Sequence, residues 1–133
     1  MAAWRPLTKK SEFHKAYEHG VKKVGRLLVV YLLPADDMAF SVVASRKVGN
    51  AVKRNRAKRL LREAFRQGDL GRNASSIDHV MGFFERLQPD PGSETGDPRV
   101  AAKGLWVVLI ARQNILGASS REVRDELNNL LGH

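Results

Sequence analysis

One stretch constrains this chain more than any other: Ser45-Arg-Lys-Val-Gly-Asn-Ala-Val-Lys-Arg-Asn-Arg-Ala-Lys-Arg-Leu-Leu-Arg-Glu-Ala-Phe-Arg66. Between Arg46 and Arg66 it holds nine basic residues and one acid, Glu63, a net +8 against +9 for the whole 133-residue chain. The charge is therefore one focused patch on an otherwise balanced protein, the footprint of a polyanion binder. At 100° per residue the stretch reads as an amphipathic helix. Ala57, Leu60, Leu61, Ala64 and Phe65 fall on one face; Asn55, Arg59, Arg62 and Arg66 fall opposite at i, i+4, i+7, i+11, flanked by Arg56 and Lys58. Asn50 is placed as the N-cap and Gly68 as the C′ glycine. Arginine suits phosphate because its planar fork can bond two oxygens at once. A solvated helix face usually mixes signs, and this one does not.

The segment Lys47-Val-Gly-Asn-Ala-Val-Lys-Arg-Asn-Arg-Ala-Lys-Arg-Leu-Leu-Arg-Glu63, with Arg54-Asn55-Arg56 at its centre, resembles the RNR motif of the protein subunit of bacterial ribonuclease P. The match is dense over some twenty residues, and weaker similarity extends over most of the chain.

The remaining sequence is consistent with one small domain, residues 1–133. A hydrophobic content of 43% suffices for one core. There is no apolar run of about 18 residues to span a bilayer, and the N-terminus lacks the apolar region of a signal peptide. With no cysteine there are no disulfides and no thiolate metal site. The expected location is cytoplasmic.

Lys9 to His19 reads as a short helix, capped by Thr8 or Ser11 and ended by Gly20. Phe13, Ala16 and Tyr17 share a face, which either docks the helix or leaves aromatic surface for a base. Leu27–Leu33 is a strand stopped by Pro34 and apolar on both faces. Ala35-Asp36-Asp37 is a turn, and Ala39–Ala44 is a second strand, antiparallel to the first because the connection is short. Gly49 lies where the backbone must turn sharply or approach a phosphate. Residues 69–104 form a family-atypical flexible insert, with a Pro/Gly-rich loop over Gln88–Pro98 and a short helix carrying Ile77, Val80, Met81, Phe83, Phe84 and Leu87. Leu105–Ala111 is the most apolar strand and belongs in the middle of a sheet. Ser119-Ser-Arg-Glu122 opens a last helix with a capping box, and Val123, Leu127, Leu130 and Leu131 form its apolar face. The expected fold is α+β: a two-layer α/β sandwich with a mostly antiparallel four-stranded sheet and about three helices, ordered α-β-β-(β)-α-β-α.

No constellation of catalytic groups stands out. His14, His19, His79 and His133 are scattered, Asp36-Asp37 reads as a turn pair and Asp125-Glu126 as solvated. The chain reads as a binder. A ribosomal or RNA-chaperone-type protein would share its charge and size, but would usually spread basic residues into tails or loops. A DNA-binding regulator would show two adjacent helices joined by a tight turn, whereas strands precede this basic helix.

The ribonuclease P resemblance implies more. The protein is expected to bind the catalytic RNA and the 5′ leader of precursor tRNA, assisting removal of the leader while catalysis and Mg2+ reside in the RNA. No firmly held cofactor, DNA, membrane or obligate protein partner is implied. Carried onto this chain, Arg46, Lys47, Lys53, Arg54, Asn55, Arg56, Lys58, Arg59, Arg62 and Arg66 would bind RNA. Phe13, Tyr17, Val29 and Tyr31 would line the leader cleft. The resemblance also implies a left-handed βαβ crossover, against the usual handedness rule.

Overall fold

The structure is a computed structural model and describes residues 4–72 and 104–132. The expected insert at 69–104 therefore lies almost wholly outside the described residues, with its Pro/Gly-rich loop and its short apolar helix. The elements are β1 (Arg5–Pro6), α1 (Lys10–His19), β2 (Val21–Val24), β3 (Leu28–Ala35), β4 (Ala39–Val43), α2 (Ala51–Gln67), a single turn α3 (Asp69–Arg72), β5 (Gly104–Ala111), a 3-10 turn (Gln113–Gly117) and α4 (Ser120–Leu130). The class is α+β as expected, but the sheet has five strands in the order β1-β4-β5-β3-β2 and is mixed.

Alternation along the central strands sorts the core into two faces. Leu105, Val107 and Leu109 of β5 and Leu28, Val30 and Leu32 of β3 point towards α2 and α4, where they meet Ala57, Leu61, Phe65, Val123 and Leu127. Trp106, Val108 and Ile110 point the other way, with Tyr31, onto Leu7, Phe13 and Ala16. Helices thus lie on both faces, with α1 on the second. This double coverage explains why β3 and β5 read as unbroken apolar runs.

Four expectations need correction. The strands β3 and β4 run in opposite directions but are not neighbours: β5 lies between them, antiparallel to β3 and parallel to β4. The strand most apolar on both faces takes the centre, and the parallel β4–β5 pair is reached by a crossover through α2. Pro34 does not stop β3 but sits inside it, opposite Leu105. It lies beyond Leu32, the last residue paired with β2, where that edge of β3 needs no donor. The two strands missed in sequence, β1 and β2, are a two-residue edge and the four-residue VKKV, each too short to show a period. Gly68 ends α2 with extended, not left-handed, backbone, and a Cβ there would approach Ala64 O to 2.9 Å.

The caps follow the chemistry but not always the named residue. Asn50 caps α2, its Oδ1 accepting from Lys53 N at 3.0 Å. Ser119 and Glu122 close the capping box of α4, each side chain accepting from the other's backbone N–H at 3.2 Å. In α1 neither Thr8 nor Ser11 caps. Glu12 Oε1 instead accepts from the backbone of Thr8 and Lys9.

Glu126 is likewise not a free solvated residue. Its carboxylate accepts from the backbone N–H groups of Arg26, Leu27 and Leu28 at 2.8 to 3.1 Å, tying α4 to the start of β3. Charge-assisted bonds of this kind are stronger than neutral ones. Glu126→Ala is expected to cost about 2 kcal/mol, read as a lower denaturation midpoint with an unchanged slope. A wild-type midpoint would show that water replaces the carboxylate without loss.

The turn pair Asp36-Asp37 also has a partnered member. Asp37 accepts from Arg5 Nε and, at 2.7 Å, from Trp106 Nε1, while Arg5 Nη2 reaches Glu12 at 2.8 Å. The Arg5 hydrogen bond is the main reason both carboxyls are held below the usual carboxylate range; Trp106 adds to this at Asp37 and the backbone of Lys9 at Glu12. A carboxyl with a lowered folded-state pKa contributes stability that is present above its unfolded pKa and lost as pH falls through the folded one. Arg5→Met is therefore expected to move the acid-unfolding midpoint to higher pH, measured by circular dichroism across the carboxylate range. An unchanged acid limb would show that this network does not couple to folding.

Candidate RNA interface

The backbone leading into α2 is built to display cations. Val43 ends β4, and the chain turns through Ser45–Gly49 with Val48 N donating to Ser45 O and Gly49 N to Arg46 O, both at 3.1 Å. Val48 is buried as the anchor, which leaves Arg46 and Lys47 exposed. Gly49 has φ +144°, a conformation an L side chain rarely adopts, and a Cβ there would collide with the Lys53 side chain at 2.6 Å. Gln113 Nε2 donates to Lys47 O at 2.9 Å and holds this loop against the end of β5. Gln113 carried no sequence signal, since only the fold brings residues 47 and 113 together.

On α2 the burial follows the expected wheel. Ala57, Leu61, Ala64 and Phe65 are buried; Lys53, Asn55, Arg56, Arg59, Arg62 and Arg66 are exposed, and Arg54 and Lys58 are half-buried. Among the described residues no carboxylate lies within ion-pair distance of any of the nine cations from Arg46 to Arg66. Val52 was not foreseen as part of this surface. It is 76% exposed and lies with Asn55, Arg56 and Arg59 around a groove of about 310 Å³. Its signal was its spacing, i, i+3, i+4 and i+7 with those three residues. A methyl-bearing floor among cations and an amide can meet a base or ribose while the guanidinium groups meet phosphates.

The second surface lies on the opposite side of the sheet. α1 packs Ala16 onto it, and Tyr17 projects with 39% exposure. The Tyr17 ring meets Tyr31 of β3 edge-on at 4.9 Å, and Phe13 lies 6.3 Å from Tyr17. Val29 and Tyr31 are half-buried on the same face of β3. The four residues of the expected cleft are thus brought onto one side of the sheet, three of them in a chain of aromatic contacts. Burial, and then the neighbouring Tyr31, push the Tyr17 hydroxyl above its usual pKa, so it stays a neutral donor. Lys22, absent from the sequence-based set, places Nζ 5.9 Å from the Tyr31 ring centre. It lies on β2, the strand the sequence did not reveal. The arrangement is an aromatic floor with a cation at its edge, suited to unpaired nucleotides.

The two described histidines lie beside one carboxylate, Glu18. His14 and His19 are exposed, with His14 Nε2 3.0 Å from Glu18; His79 and His133 lie outside the described residues. Among the described residues no three of His, Asp or Glu gather as they would around a metal ion. Among the same residues no helix is long and apolar enough to cross a membrane.

Known proteins place this architecture. A sequence profile of the Ribonuclease P family matches residues 1–82. The ribonuclease P protein component of Nitratiruptor sp. is 42% identical over 131 residues, covering 98% of this chain and 93% of that protein. The component of Clostridioides difficile is 28% identical over 127 residues, covering 94% and 87%. Among solved structures, the RNase P protein of Thermotoga maritima superposes with a TM-score of 0.62 at 25% identity over 96% of this chain and 94% of that one. The Staphylococcus aureus RNase P protein, at 22% identity and a TM-score of 0.56 over 97% and 94%, shares the fold. The match of the profile to the basic helix, and of whole relatives to nearly the full length, leads to one conclusion: the chain belongs to the ribonuclease P protein family.

Proposed function

We propose that this chain binds the RNA subunit of ribonuclease P through α2 and the loop before it, and holds the 5′ leader of precursor tRNA on the aromatic surface between α1 and β3. In this reading Arg46, Lys47, Lys53, Arg54, Arg56, Lys58, Arg59, Arg62 and Arg66 neutralise phosphates, and Asn55 reads a base edge or braces a loop. Phe13, Tyr17, Val29 and Tyr31 support unpaired leader nucleotides. Bond cleavage, with the Mg2+ it uses, belongs to the RNA subunit; this chain supplies binding, in the cytoplasm. The observation that carries the reading is the row of nine cations with no acidic partner among the described residues, seven on one capped helix and two on the loop that leads into it. Groups of one sign held this close repel one another unless a polyanion answers them.

The test is precursor-tRNA cleavage by the cognate RNA subunit at limiting Mg2+, with and without the protein. The protein is expected to accelerate cleavage and to cleave nothing alone. Turnover by RNA-free protein, or no effect on the RNA subunit, would overturn the assignment of roles.

A further inference from the structure

A cavity of about 550 Å³ opens on the α2 side of the sheet, at its β1–β4 edge. No role described above uses it. Its walls are aromatic: Phe40 of β4 stacks on Phe65 of α2 with centroids 3.9 Å apart and planes 10° from parallel, and Trp4 meets Phe65 edge-on at 5.0 Å. Pro6 adds a flat apolar side. Arg62 and Arg66, one turn apart on α2, also line it, and neither has an acidic partner among the described residues. Phe65 is buried, but Trp4 and Phe40 are only half-buried, so each keeps surface towards the opening.

We propose that this cavity takes one unpaired nucleotide of the ribonuclease P RNA subunit, its base against Trp4 and Phe40 and its flanking phosphates on Arg62 and Arg66. The inference rests on the RNA subunit docking on the α2 face. Three features select this occupant. The volume falls in the range of small-molecule sites and admits a base with its ribose. An apolar peptide side chain would fill the aromatic floor but leave two guanidinium groups unanswered, whereas a nucleotide satisfies both at once. The source is the RNA subunit rather than the leader because Arg62 and Arg66 continue the α2 stripe, while the Phe13–Tyr17–Tyr31 surface lies across the sheet. The nucleotide must be unpaired, since only an unstacked base offers its face to an aromatic side chain.

Binding of the cognate RNA subunit to wild-type protein, Trp4→Ala and Trp4→Phe tests this across a salt series. Trp4→Ala is expected to lose about tenfold in affinity, within the range of one base–aromatic stack, with the salt slope unchanged because no charge is removed. Trp4→Phe should restore most of the loss. Chemical probing of RNA 2′-hydroxyls in the wild-type complex should show an unpaired nucleotide protected by the protein, and that protection should vanish with Trp4→Ala. Wild-type affinity in Trp4→Ala, or no nucleotide whose protection depends on Trp4, would overturn the pocket while leaving α2 as the docking face. A loss confined to precursor tRNA would overturn the RNA subunit as its source. Failure of the wild-type protein to bind the RNA subunit at all would bring down both readings together.

Discussion

Replacing Arg59 and Arg62 together by alanine is expected to weaken binding of the RNA subunit about 100-fold. Each is exposed on the α2 stripe and has no carboxylate partner among the described residues. A charge-assisted hydrogen bond to phosphate contributes about 1.5 kcal/mol at the low end, so two such bonds amount to about two decades in affinity. The salt dependence separates this from other causes. If about six phosphates are neutralised, log K against log salt falls with a slope of roughly −4 to −5, and losing two contacts flattens it to about −3. The thermal midpoint should barely move, because truncating either side chain empties no core space and breaks no ion pair among the described residues. A stably folded double variant with the wild-type slope would remove this helix from the interface.

Tyr31→Ala is expected to separate precursor from mature tRNA. Tyr31 sits half-buried on β3, its ring 4.9 Å from Tyr17 and below the Lys22 ammonium group. Stacking of a base on such a ring contributes about 1–3 kcal/mol and tolerates most sequences, which suits the proposed role of holding leaders of differing sequence. In the assembled holoenzyme the substitution should lower affinity for precursor tRNA bearing a leader of several nucleotides about tenfold. Mature tRNA, which has no leader, should bind as before, and assembly with the RNA subunit should persist. Tyr31→Phe keeps the ring and should stay near wild type, which separates stacking from the hydroxyl. Equal losses for both tRNAs would mean that Tyr31 acts through folding or assembly, and the leader surface would have to lie elsewhere.

Much of this was written into local sequence because it depends on neighbours along one helix or strand. The face of α2, its Asn50 cap, the capping box at Ser119 and the central position of β5 all follow from spacing of 3.6 or 2 and from side chains reaching backbone a few residues away. What escaped depends on contacts between distant segments. Pairing β4 with β5 rather than β3 is a choice among apolar strands that look alike in isolation, decided by which one the crossover through α2 lays between the others. Glu126 looked solvated because its three backbone donors lie about a hundred residues earlier in the chain. Lys22 reached the aromatic floor only because β2 pairs with β3, and Trp4 met Phe65 and came to share a cavity with Phe40 only because β1 docks beside β4. The sequence by itself determined the candidate binding groups, a helix rich in cations and a set of aromatics, since charge and periodicity are local quantities. The tertiary structure alone decided where those groups face and which of them share a cavity, because that depends on long-range strand order, which no local pattern encodes.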